Sequence, residues 1–572
     1  MSLYNAAQYL LFLAIVTLCV KPLGGYMARV FCRQRTWLDP ILLPVERLLY
    51  RLSGVDSSVE MTARQYTASF ILFGLVCTLA LYAILRFQRF LPWFFPAYFT
   101  TLLTPDLSLN TAISFSTTTT WQAYAGENTM SYVSQMGGLC VQNFLAGAAG
   151  LAAGIAFIRG LAKESSQTLG NFWVDLTRSL LWILLPGSLL GALLLVAQGV
   201  PMNFHPYVQA TSLEGAKQVL AQGPVAALEI IKNLGTNGGG FFNANGAHPY
   251  ENPTPLTNLI EMLAIVLLPA ALTNTFGRMI RLPRQGWTLY WVMVILFSCG
   301  LAALHLSEQR ANPTLHSVEA QRSQLQSGGN MEGKEVRFGI GASTLTGIAT
   351  SNGATGSINA ADDSLTSLGG MVLLVNLLLG EVIFGGLGTG LFGMVMTAAV
   401  PVFLAGLMIG RTPEYLGKKI GPAENKMIML YALAGPVTIL ILTALAVGTG
   451  AGRAGLTTNG GPHGLTEILF GYASCFANNG QSFGGLSANT LFYNFSTIIA
   501  MMAGRFGLAI PALAFAGLFA RQKIVPRSTG TLPTDSISFG VLLTGYLMIG
   551  TALSYLPALV LGPVLERLLF RN

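Results

Sequence analysis

The sequence predicts an all-α integral membrane protein with about ten transmembrane helices. Of its 572 residues, 52% are hydrophobic and 10% are charged, whereas about a quarter of the residues in a soluble domain are charged. Apolar runs recur at the length of about 20 residues that a helix needs to cross a bilayer. Basic residues collect in alternate connections, which is typical of loops that stay on the cytoplasmic side.

Nine of the apolar runs have the length of a single span. They are Tyr9–Tyr26, Ala68–Leu85, Gly137–Phe157, Leu180–Val200, Leu259–Phe276, Trp287–Leu306, Met427–Val447, Phe492–Phe519 and Phe539–Leu561. No basic residue precedes the apolar core of the first run, and positive charges occur at Lys21, near the end of the run, and at Arg29, after it. This order favours a retained span with its N-terminus outside over a cleaved signal peptide.

A tenth run, Leu368–Gly410, is apolar for roughly twice the length of one span. The basic clusters that follow it, from Arg411 to Lys426 and from Arg521 to Arg527, alternate correctly only if this run crosses the membrane once. Its middle, Gly380–Gly393, therefore predicts a break or re-entrant segment within one span. Such a break is tolerated where protein or water satisfies the freed backbone groups. The resulting ten spans place both termini outside the cytoplasm.

The outer connections share a pattern in which a moderately apolar stretch is followed by small polar residues. The pattern occurs at residues 110–124, 226–242, 339–356 and 465–483. Each copy lies between a span that leaves the cytoplasm and one that returns. The sequence therefore predicts four channel-like pseudo-repeats, each consisting of a helix, a pore loop and a second helix. An extra helix precedes the first repeat, and another follows the last.

These repeats divide the chain into six units. They are the first transmembrane helix with a cytoplasmic loop (1–63), pore repeat 1 (64–158), pore repeat 2 (159–277), pore repeat 3 with a broken second helix (278–410), pore repeat 4 (411–520) and the last transmembrane helix (521–572).

The polar loops predict a cation site. Their cores are Thr118, Thr119 and Thr120; Thr236, Asn237 and Gly238; Ser351, Asn352 and Gly353; and Asn478, Asn479 and Gly480. Four loops that meet on an axis can replace the hydration shell of an ion with rings of carbonyl oxygens. The loops contain no Asp or Glu, which favours a monovalent over a divalent cation. For one loop alone, a tight turn between helices would explain the small residues equally well.

Arg505 and Glu381 are ionisable residues within apolar segments, where a functional role is the default hypothesis. We expect Arg505 to form a positive gate below the filter loops. Its charge would repel a cation from the direct route to the cytoplasm. A helix kink with the guanidinium on a backbone carbonyl is the structural alternative. Glu381 lines a cavity or tunnel near the break, or is a hydrogen-bonded structural carboxyl. Gly386 and Gly388 lie in the same break and are assigned to the gate or tunnel, where the segment would block straight-through conduction.

Other functions find little support in the sequence. Neither the phosphate-binding motif GxxxxGK[ST] nor the Asp-Lys-Thr-Gly sequence that accepts phosphate in P-type pumps occurs, so we expect no nucleotide on this chain. The five histidines are far apart without HExxH spacing, and we expect no metal other than the transported cation. The basic residues are spread over short loops, which argues against nucleic-acid binding.

Four segments, "STTTTWQAY", "LGTNGGGFFNAN", "HPYENPTPLTN" and "GEVIFGGLGTGLFGM", resemble those of the potassium-binding A subunit (KdpA) of the bacterial Kdp potassium-transporting ATPase, in the superfamily of potassium transporters. The resemblance covers nearly the whole chain. It implies a fold related to tetrameric potassium channels and a location in the bacterial inner membrane. It further implies that potassium is selected outside and passed sideways through an intramembrane tunnel to a P-type ATPase subunit.

The resemblance also assigns residues and partners. Gln122 and Gly238 match positions associated with potassium recognition, and Arg505 matches the gate. Thr118 and Thr120 depart from the pattern, because the family often has Asn in the first loop. The implied partners are a catalytic subunit (KdpB-like), small accessory membrane subunits (KdpC-like and KdpF-like) and membrane lipid.

Two other hypotheses remain open at the level of sequence. The chain could be a stand-alone potassium channel or secondary potassium transporter of the same superfamily, although the ten-span frame and the long break argue against this. It could instead be a membrane enzyme or a structural anchor. An enzyme would need a clustered nucleophile or metal set, and an anchor would not need four filter loops.

Overall fold

The computed structural model describes residues 3–94, 98–310, 328–408, 410, 413–526 and 532–569. Within these residues, ten helical stretches are long and apolar enough to cross a bilayer, which confirms the predicted fold class. Arg411 and Arg527, two of the residues assigned to basic inner connections, lie outside the described part of the chain.

The helices follow the predicted order of spans and pore segments. They are α1 (Leu3–Phe31), α2 (Asp39–Ser53), α3 (Ala63–Phe87), α4 (Pro105–Ser116), α5 (Val141–Ala162), α6 (Phe172–Arg178), α7 (Leu185–Ala197), α8 (Val225–Leu234), α9 (Pro255–Met279), α10 (Pro283–Glu308), α11 (Gly339–Asn352), α12 (Ser367–Leu378), α13 (Thr389–Met408), α14 (Pro422–Gly448), α15 (Gly450–Arg453), α16 (Gly461–Phe476), α17 (Leu491–Met502), α18 (Leu508–Arg521), α19 (Ile537–Leu559) and α20 (Leu565–Leu569). Single π-helical turns precede α5, join α6 to α7 and α17 to α18, and join α19 to α20.

Helix starts are fixed by side chains that bind the free backbone N–H groups of the first turn. Thr104, Thr254 and Thr366 precede α4, α9 and α12, and each hydroxyl accepts a hydrogen bond from the N–H group three residues later. This is the standard N-cap arrangement, worth about 1 kcal/mol per helix. The caps therefore define where α4, α9 and α12 begin. α4 precedes the first polar loop, and α9 and α12 follow the second and third.

Three short antiparallel strand pairs connect the helices. β1 (Met61–Thr62) pairs with β2 (Thr168–Gly170), β3 (Val208–Thr211) with β4 (Lys217–Leu220), and β5 (Glu414–Tyr415) with β6 (Lys418–Lys419). The Lys418 side chain is buried, and its Nζ donates to the carbonyl of Leu161 at 2.8 Å and to that of Lys163 at the end of α5. A cation at a helix C-terminus can donate hydrogen bonds to the last carbonyl groups, which have no partner within the helix.

The first connection contains a helix that the sequence analysis does not predict. α2 begins at Asp39 with Pro40 in its first turn and ends before Gly54, whose φ is 67°. Its side chains Ile41, Leu48 and Leu52 are between 55% and 77% exposed. With only 15 residues, α2 is too short to appear in a search for spans. Its apolar exposed face is typical of a helix that lies in the membrane interface.

The long run Leu368–Gly410 forms two helices, α12 and α13, separated by a non-helical segment from Leu379 to Gly388. Backbone φ is positive at Gly380, Glu381, Phe384 and Gly388, so the helical hydrogen-bond pattern is interrupted several times. The helix is therefore interrupted where the sequence predicts a break. α13 alone has the length of a span, whereas α12 is shorter.

Candidate ion-binding site

The four pore helices α4, α8, α11 and α16 end at loops that share one backbone conformation. The second residue after each helix has a left-handed φ between 47° and 63°: Thr118, Thr236, Ala354 and Asn478. The fourth residue is also left-handed, with φ between 45° and 88°: Thr120, Gly238, Gly356 and Gly480. We number the loops 1 to 4 in chain order. The repeat that is weak in sequence is therefore regular in backbone geometry.

The four loops contact one another in a closed ring, in which the fourth residue of each loop lies against the third residue of the next. A Cβ atom built on Gly238, Gly356 or Gly480 would lie 1.1, 2.3 or 2.1 Å from the carbonyl oxygen of Thr355, Asn479 or Thr119, respectively. In loop 1, the Thr120 hydroxyl donates to the carbonyl of Asn237. The contacts run from loop 1 to 2, 2 to 3, 3 to 4 and 4 to 1, so the loops surround a common centre.

The third predicted core differs from the structure in register. Ser351 and Asn352 lie in the last turn of α11, and Gly353 is its C-cap. The residues equivalent to Thr236, Asn237 and Gly238 are instead Ala354, Thr355 and Gly356. The sequence "SNG" resembles "TNG", but the helix continues through Asn352 and the ring is built from the following "ATG".

Side chains hold the loops together outside the ring. The Asn478 amide donates to the Thr119 hydroxyl at 2.9 Å, and the Asn479 amide donates to the carbonyl of Thr350 at 2.8 Å. Gln122 makes two hydrogen bonds with Gly240, accepting from its N–H at 2.9 Å and donating to its carbonyl at 3.1 Å. Gln122 thereby joins loop 1 to loop 2 two residues beyond the ring.

The electrostatics at the centre of the ring favour a cation. Residues 117–120, 235–238, 353–356 and 477–480 include no charged side chain. The C-termini of the pore helices end at the loops, and the C-terminal end of a helix carries a partial negative charge. Thr119 and Asn237 are fully buried. The arrangement supplies carbonyl oxygens and helix dipoles without a carboxylate, which suits a monovalent cation better than a divalent one.

On one side, the ring opens into a cavity of about 440 Å³, which we call the vestibule. Its wall includes Gln122 from loop 1, Gly239 from loop 2, Gln481 and Phe483 from loop 4, and Asp362 from the segment after loop 3. Burial raises the pKa of Asp362 to about 7. The wall of the vestibule is therefore largely polar and includes a buried carboxyl group.

On the other side of the ring, the second residues of the four loops contact two structural elements. The Thr118 hydroxyl accepts from Arg505 Nη1 at 3.1 Å, and the Thr236 hydroxyl accepts from the N–H of Leu387 at 2.8 Å. A Cβ on Gly386 would lie 3.4 Å from that of Ala354, and one on Gly504 would lie 3.1 Å from Asn478 Oδ1. The break between α12 and α13 and the turn around Arg505 thus lie directly beneath the ring.

Arg505 is a buried cation in the π-helical turn that joins α17 to α18, with 3% of its surface exposed. Its Nη2 donates to the carbonyl of Ala146 at 2.7 Å, and its guanidinium lies 5.5 Å from the ring centre of Phe70. The carbonyl contact of the structural alternative is present, and a π-helical turn occupies the place where that alternative expects a kink. The bond to Thr118 adds a direct contact with the candidate site.

The break is held by close backbone contacts. Glu381, with φ of 61°, accepts a hydrogen bond from the Thr389 hydroxyl at 3.2 Å. A Cβ on Gly386 would lie 2.4 Å from the Thr389 hydroxyl oxygen, and one on Gly388 would lie 2.1 Å from the carbonyl oxygen of Gly150 in α5. Small residues are therefore required where the break crosses the chain beneath the ring.

A buried ion cluster, which the sequence analysis did not single out, lies behind loop 2. Lys232 Nζ is 2.7 Å from a Glu229 oxygen and 2.6 Å from a Glu251 oxygen, and all three side chains are fully buried. The carbonyl of Lys232 accepts the N–H groups of Asn237 at 2.8 Å and Gly238 at 2.9 Å. The visible signal was the i, i+3 spacing of Glu229 and Lys232 in an apolar helix segment.

Comparison with known proteins identifies relatives over the whole length of the chain. The potassium-transporting ATPase potassium-binding subunit of Solibacter usitatus is 52% identical over 572 residues, covering 100% of this chain and 99% of the relative. The protein of the same description from a strain of Methylorubrum extorquens is 52% identical over 566 residues, covering 99% of this chain and 98% of the relative.

Among solved structures, the potassium transporter TrkH from Vibrio parahaemolyticus aligns with a TM-score of 0.48 and 13% identity, covering 71% of this chain and 77% of TrkH. This score is too low to bear on function. A family model described as "Potassium-transporting ATPase A subunit" matches residues 10–568. Together with the curated relatives, this match shows that the chain belongs to the family of potassium-transporting ATPase A subunits.

Proposed function

We propose that this chain is the potassium-binding and translocating subunit of an ATP-driven potassium uptake complex of the bacterial inner membrane. The closed ring of four loops, with its left-handed second and fourth residues, is the observation that carries the proposal. Its carbonyl oxygens replace the hydration shell of potassium. The filter residues are the predicted ones in loops 1, 2 and 4, with Ala354, Thr355 and Gly356 in loop 3.

Potassium approaches the filter from outside through the vestibule. Gln122 fixes the spacing of loops 1 and 2 at the mouth, because it bonds both the N–H and the carbonyl of Gly240. Glycine at 238 permits both a left-handed φ and the close approach of the Thr355 carbonyl. A Cβ at this position would push loop 3 away and open the ring on one side.

The elements beneath the ring prevent direct passage to the cytoplasm. The guanidinium of Arg505 repels a cation that has left the filter, and the segment from Glu381 to Gly388 crosses beneath loops 2 and 3. A cation leaving the filter therefore moves sideways between spans. The energy source lies on a separate P-type ATPase subunit, in agreement with the names of the curated relatives and with the lack of a phosphate-accepting motif in this sequence.

Isothermal titration calorimetry of the purified chain in detergent, with potassium as the titrant, tests the filter assignment. We expect saturable binding that favours potassium over sodium. Gly238→Asp should weaken potassium binding by about tenfold or more, which corresponds to about 1.4 kcal/mol. Gly215→Asp is the matched control, because Gly215 is also left-handed, with φ of 85°, and no atom lies within 4 Å of a Cβ built there. Equal potassium affinity in the two variants would remove the filter assignment.

Reconstitution distinguishes a transport subunit from a stand-alone channel. The chain alone in liposomes should give no sustained potassium flux, because Arg505 and the break close the direct route. The same chain purified together with a P-type ATPase subunit should support ATP-dependent potassium uptake. Potassium flux through the chain alone, at a rate comparable to that of the complex, would favour the channel hypothesis.

A further inference from the structure

A cluster of one imidazole and three carboxylates lies at the rim of the vestibule, away from the potassium ring. His463 is in the first turn of α16, and Glu467 lies one turn later on the same helix. Asp363 belongs to the short 3₁₀ turn Asp362–Ser364 after loop 3, and Glu566 belongs to α20. Three segments that are distant in sequence therefore meet at one imidazole.

The distances within the cluster are those of atoms that can share one metal ion. His463 Nε2 lies 2.9 Å from Asp363 Oδ1 and 3.7 Å from Glu467 Oε1. All three ligand atoms lie within 4.8 Å of one another. In a tetrahedral zinc site, bonds of about 2.0–2.1 Å place neighbouring ligand atoms about 3.3 Å apart. The two separations from His463 Nε2 bracket this value, so small side-chain rotations would complete the geometry.

The other imidazole nitrogen has the partner that a metal ligand requires. Nδ1 of His463 lies 3.0 Å from Glu566 Oε1. Histidines that bind metal through one ring nitrogen nearly always donate the other N–H to a carboxylate, carbonyl or water, which fixes the tautomer and the ring orientation. With Nδ1 bound to Glu566, Nε2 is directed at Asp363 and Glu467.

The carboxylate of Glu467 supplies an independent sign of an unsatisfied site. Its side chain is fully buried, and Oε2 has no hydrogen-bond partner among the described residues. Its other oxygen accepts from the Asn459 amide at 2.7 Å, and the same amide lies 3.3 Å from an Asp363 oxygen. Asn459 thus holds the two carboxylates in place. Within the described chain, neither Lys nor Arg forms an ion pair with any of the three carboxylates.

We propose that His463, Asp363 and Glu467 bind a divalent transition-metal ion of the zinc type, with Glu566 orienting the imidazole. A ligand set of one nitrogen and two carboxylate oxygens suits zinc, and water completes the coordination. This site is separate from the potassium ring, and it departs from the expectation that potassium is the only metal bound. Carboxylate ligands, which are missing from the filter loops, are here the main ligands.

The bound ion would link α20 to the rim of the vestibule. The imidazole of His463 stacks on Phe483 with 5.7 Å between ring centres, and both Phe483 and Asp362 line the vestibule wall. Metal binding would therefore join α20, α16 and the segment after loop 3 into one rigid unit. We expect zinc to raise the thermal unfolding midpoint of the purified chain and a chelator to reverse the effect.

Zinc titration of the chelator-treated, full-length chain in detergent tests the proposal. We expect one saturable site, weakened by more than about tenfold in His463→Gln and Glu467→Gln, and by about 10- to 100-fold in Glu566→Gln. His248→Gln is the matched control, because the His248 ring stacks on Phe242 at 3.8 Å and its Nδ1 accepts the N–H of Tyr250. Its zinc affinity should equal that of the wild type.

X-ray absorption at the zinc edge of the wild-type protein provides a measurement that does not depend on how well the variants fold. It should show one imidazole nitrogen together with oxygen ligands and no sulfur. Lack of saturable zinc binding to the wild type would overturn the proposal, as would zinc affinity unchanged in both His463→Gln and Glu467→Gln. A spectrum with thiolate ligands would also overturn it, because the cluster contains no cysteine.

Discussion

Removing the positive charge of Lys232 should destabilise the protein far more than removing that of a partly exposed lysine whose ion pair has the same length. In Lys232→Met, the buried carboxylates of Glu229 and Glu251 lose their shared cation. Breaking a buried ion pair by removing one partner costs about 3–5 kcal/mol, because the remaining charge stays desolvated. We expect a loss of this size in the free energy of unfolding.

Lys163→Met is the matched control. Lys163 Nζ lies 2.6 Å from Glu60, the same separation as between Lys232 and Glu251, but the two side chains are 25% and 49% exposed. An exposed pair contributes about 0.2–1 kcal/mol. The two lysine variants should therefore differ by at least about 2 kcal/mol in equilibrium unfolding with SDS in mixed micelles.

The position of Lys232 adds a functional consequence. Its carbonyl accepts the N–H groups of Asn237 and Gly238, and Glu251 accepts the N–H of Phe242 at 2.7 Å. The ion pair therefore connects the two ends of loop 2. Lys232→Met should weaken potassium binding as well as stability, whereas Lys163→Met should leave potassium binding unchanged.

A double variant tests the electrostatic cause. Glu251→Gln removes one of the uncompensated charges, so Lys232→Met with Glu251→Gln should cost less than the sum of the single variants, by about 0.5–3 kcal/mol. Additive costs, or a Lys232→Met variant as stable as Lys163→Met, would refute the reasoning.

Three further predictions concern the ring, the gate and a helix end. Gly480→Ala should reduce potassium affinity by about tenfold or more, because its Cβ would lie 2.1 Å from the Thr119 carbonyl oxygen; Gly461→Ala, also left-handed but with no atom within 4 Å, should bind potassium normally in the same calorimetric titration. Arg505→Gln should increase potassium leakage through the chain in liposomes by about tenfold or more, because a buried positive charge is removed from the direct route; Arg505→Lys should leak less, and equal leakage of the two would contradict the role of charge. Lys418→Met should lower the free energy of unfolding by about 1.5–3 kcal/mol through loss of charged hydrogen bonds to the end of α5, whereas the exposed Lys419→Met should change it by less than about 0.5 kcal/mol; equal unfolding curves would show that Lys418 does not stabilise α5.

Much of the architecture could be predicted from the sequence because a bilayer imposes simple rules. Each span needs a long apolar run, and basic residues mark the cytoplasmic connections. The interruption of Leu368–Gly410 followed from charge alternation, and the structure confirms it between Leu379 and Gly388. The same rules do not predict α2, because a helix in the membrane interface needs neither the length nor the continuous hydropathy of a span.

The details of the loops could not be predicted from residue types. The left-handed second positions are Thr118, Thr236, Ala354 and Asn478, and none of them is glycine, the residue that usually signals such a backbone. In loop 3, the end of α11 decides the register, and helix ends are poorly specified by sequence. The helix continues through Asn352, which moves the ring residues three positions along the chain from Ser351 to Ala354.

Contacts between residues that are distant in sequence could not be predicted either. His463 and Glu467 are spaced for one helix face, but Asp363 and Glu566 come from segments about 100 residues away on either side. Similarly, Glu251 reaches Lys232 from beyond loop 2. Contacts of this kind depend on the packing of whole helices, whereas local sequence patterns report only on neighbours along the chain.

The interruption between α12 and α13 occurs in one quarter of a structure whose loops are otherwise arranged alike. An assembly of four identical subunits would have to carry such an interruption four times or not at all. Fusing the quarters into one polypeptide lets a single quarter carry a non-helical segment that the others lack among the described residues. Asymmetry of this kind gives the molecule a direction in the plane of the membrane, which the proposed sideways delivery of an ion from the ring requires.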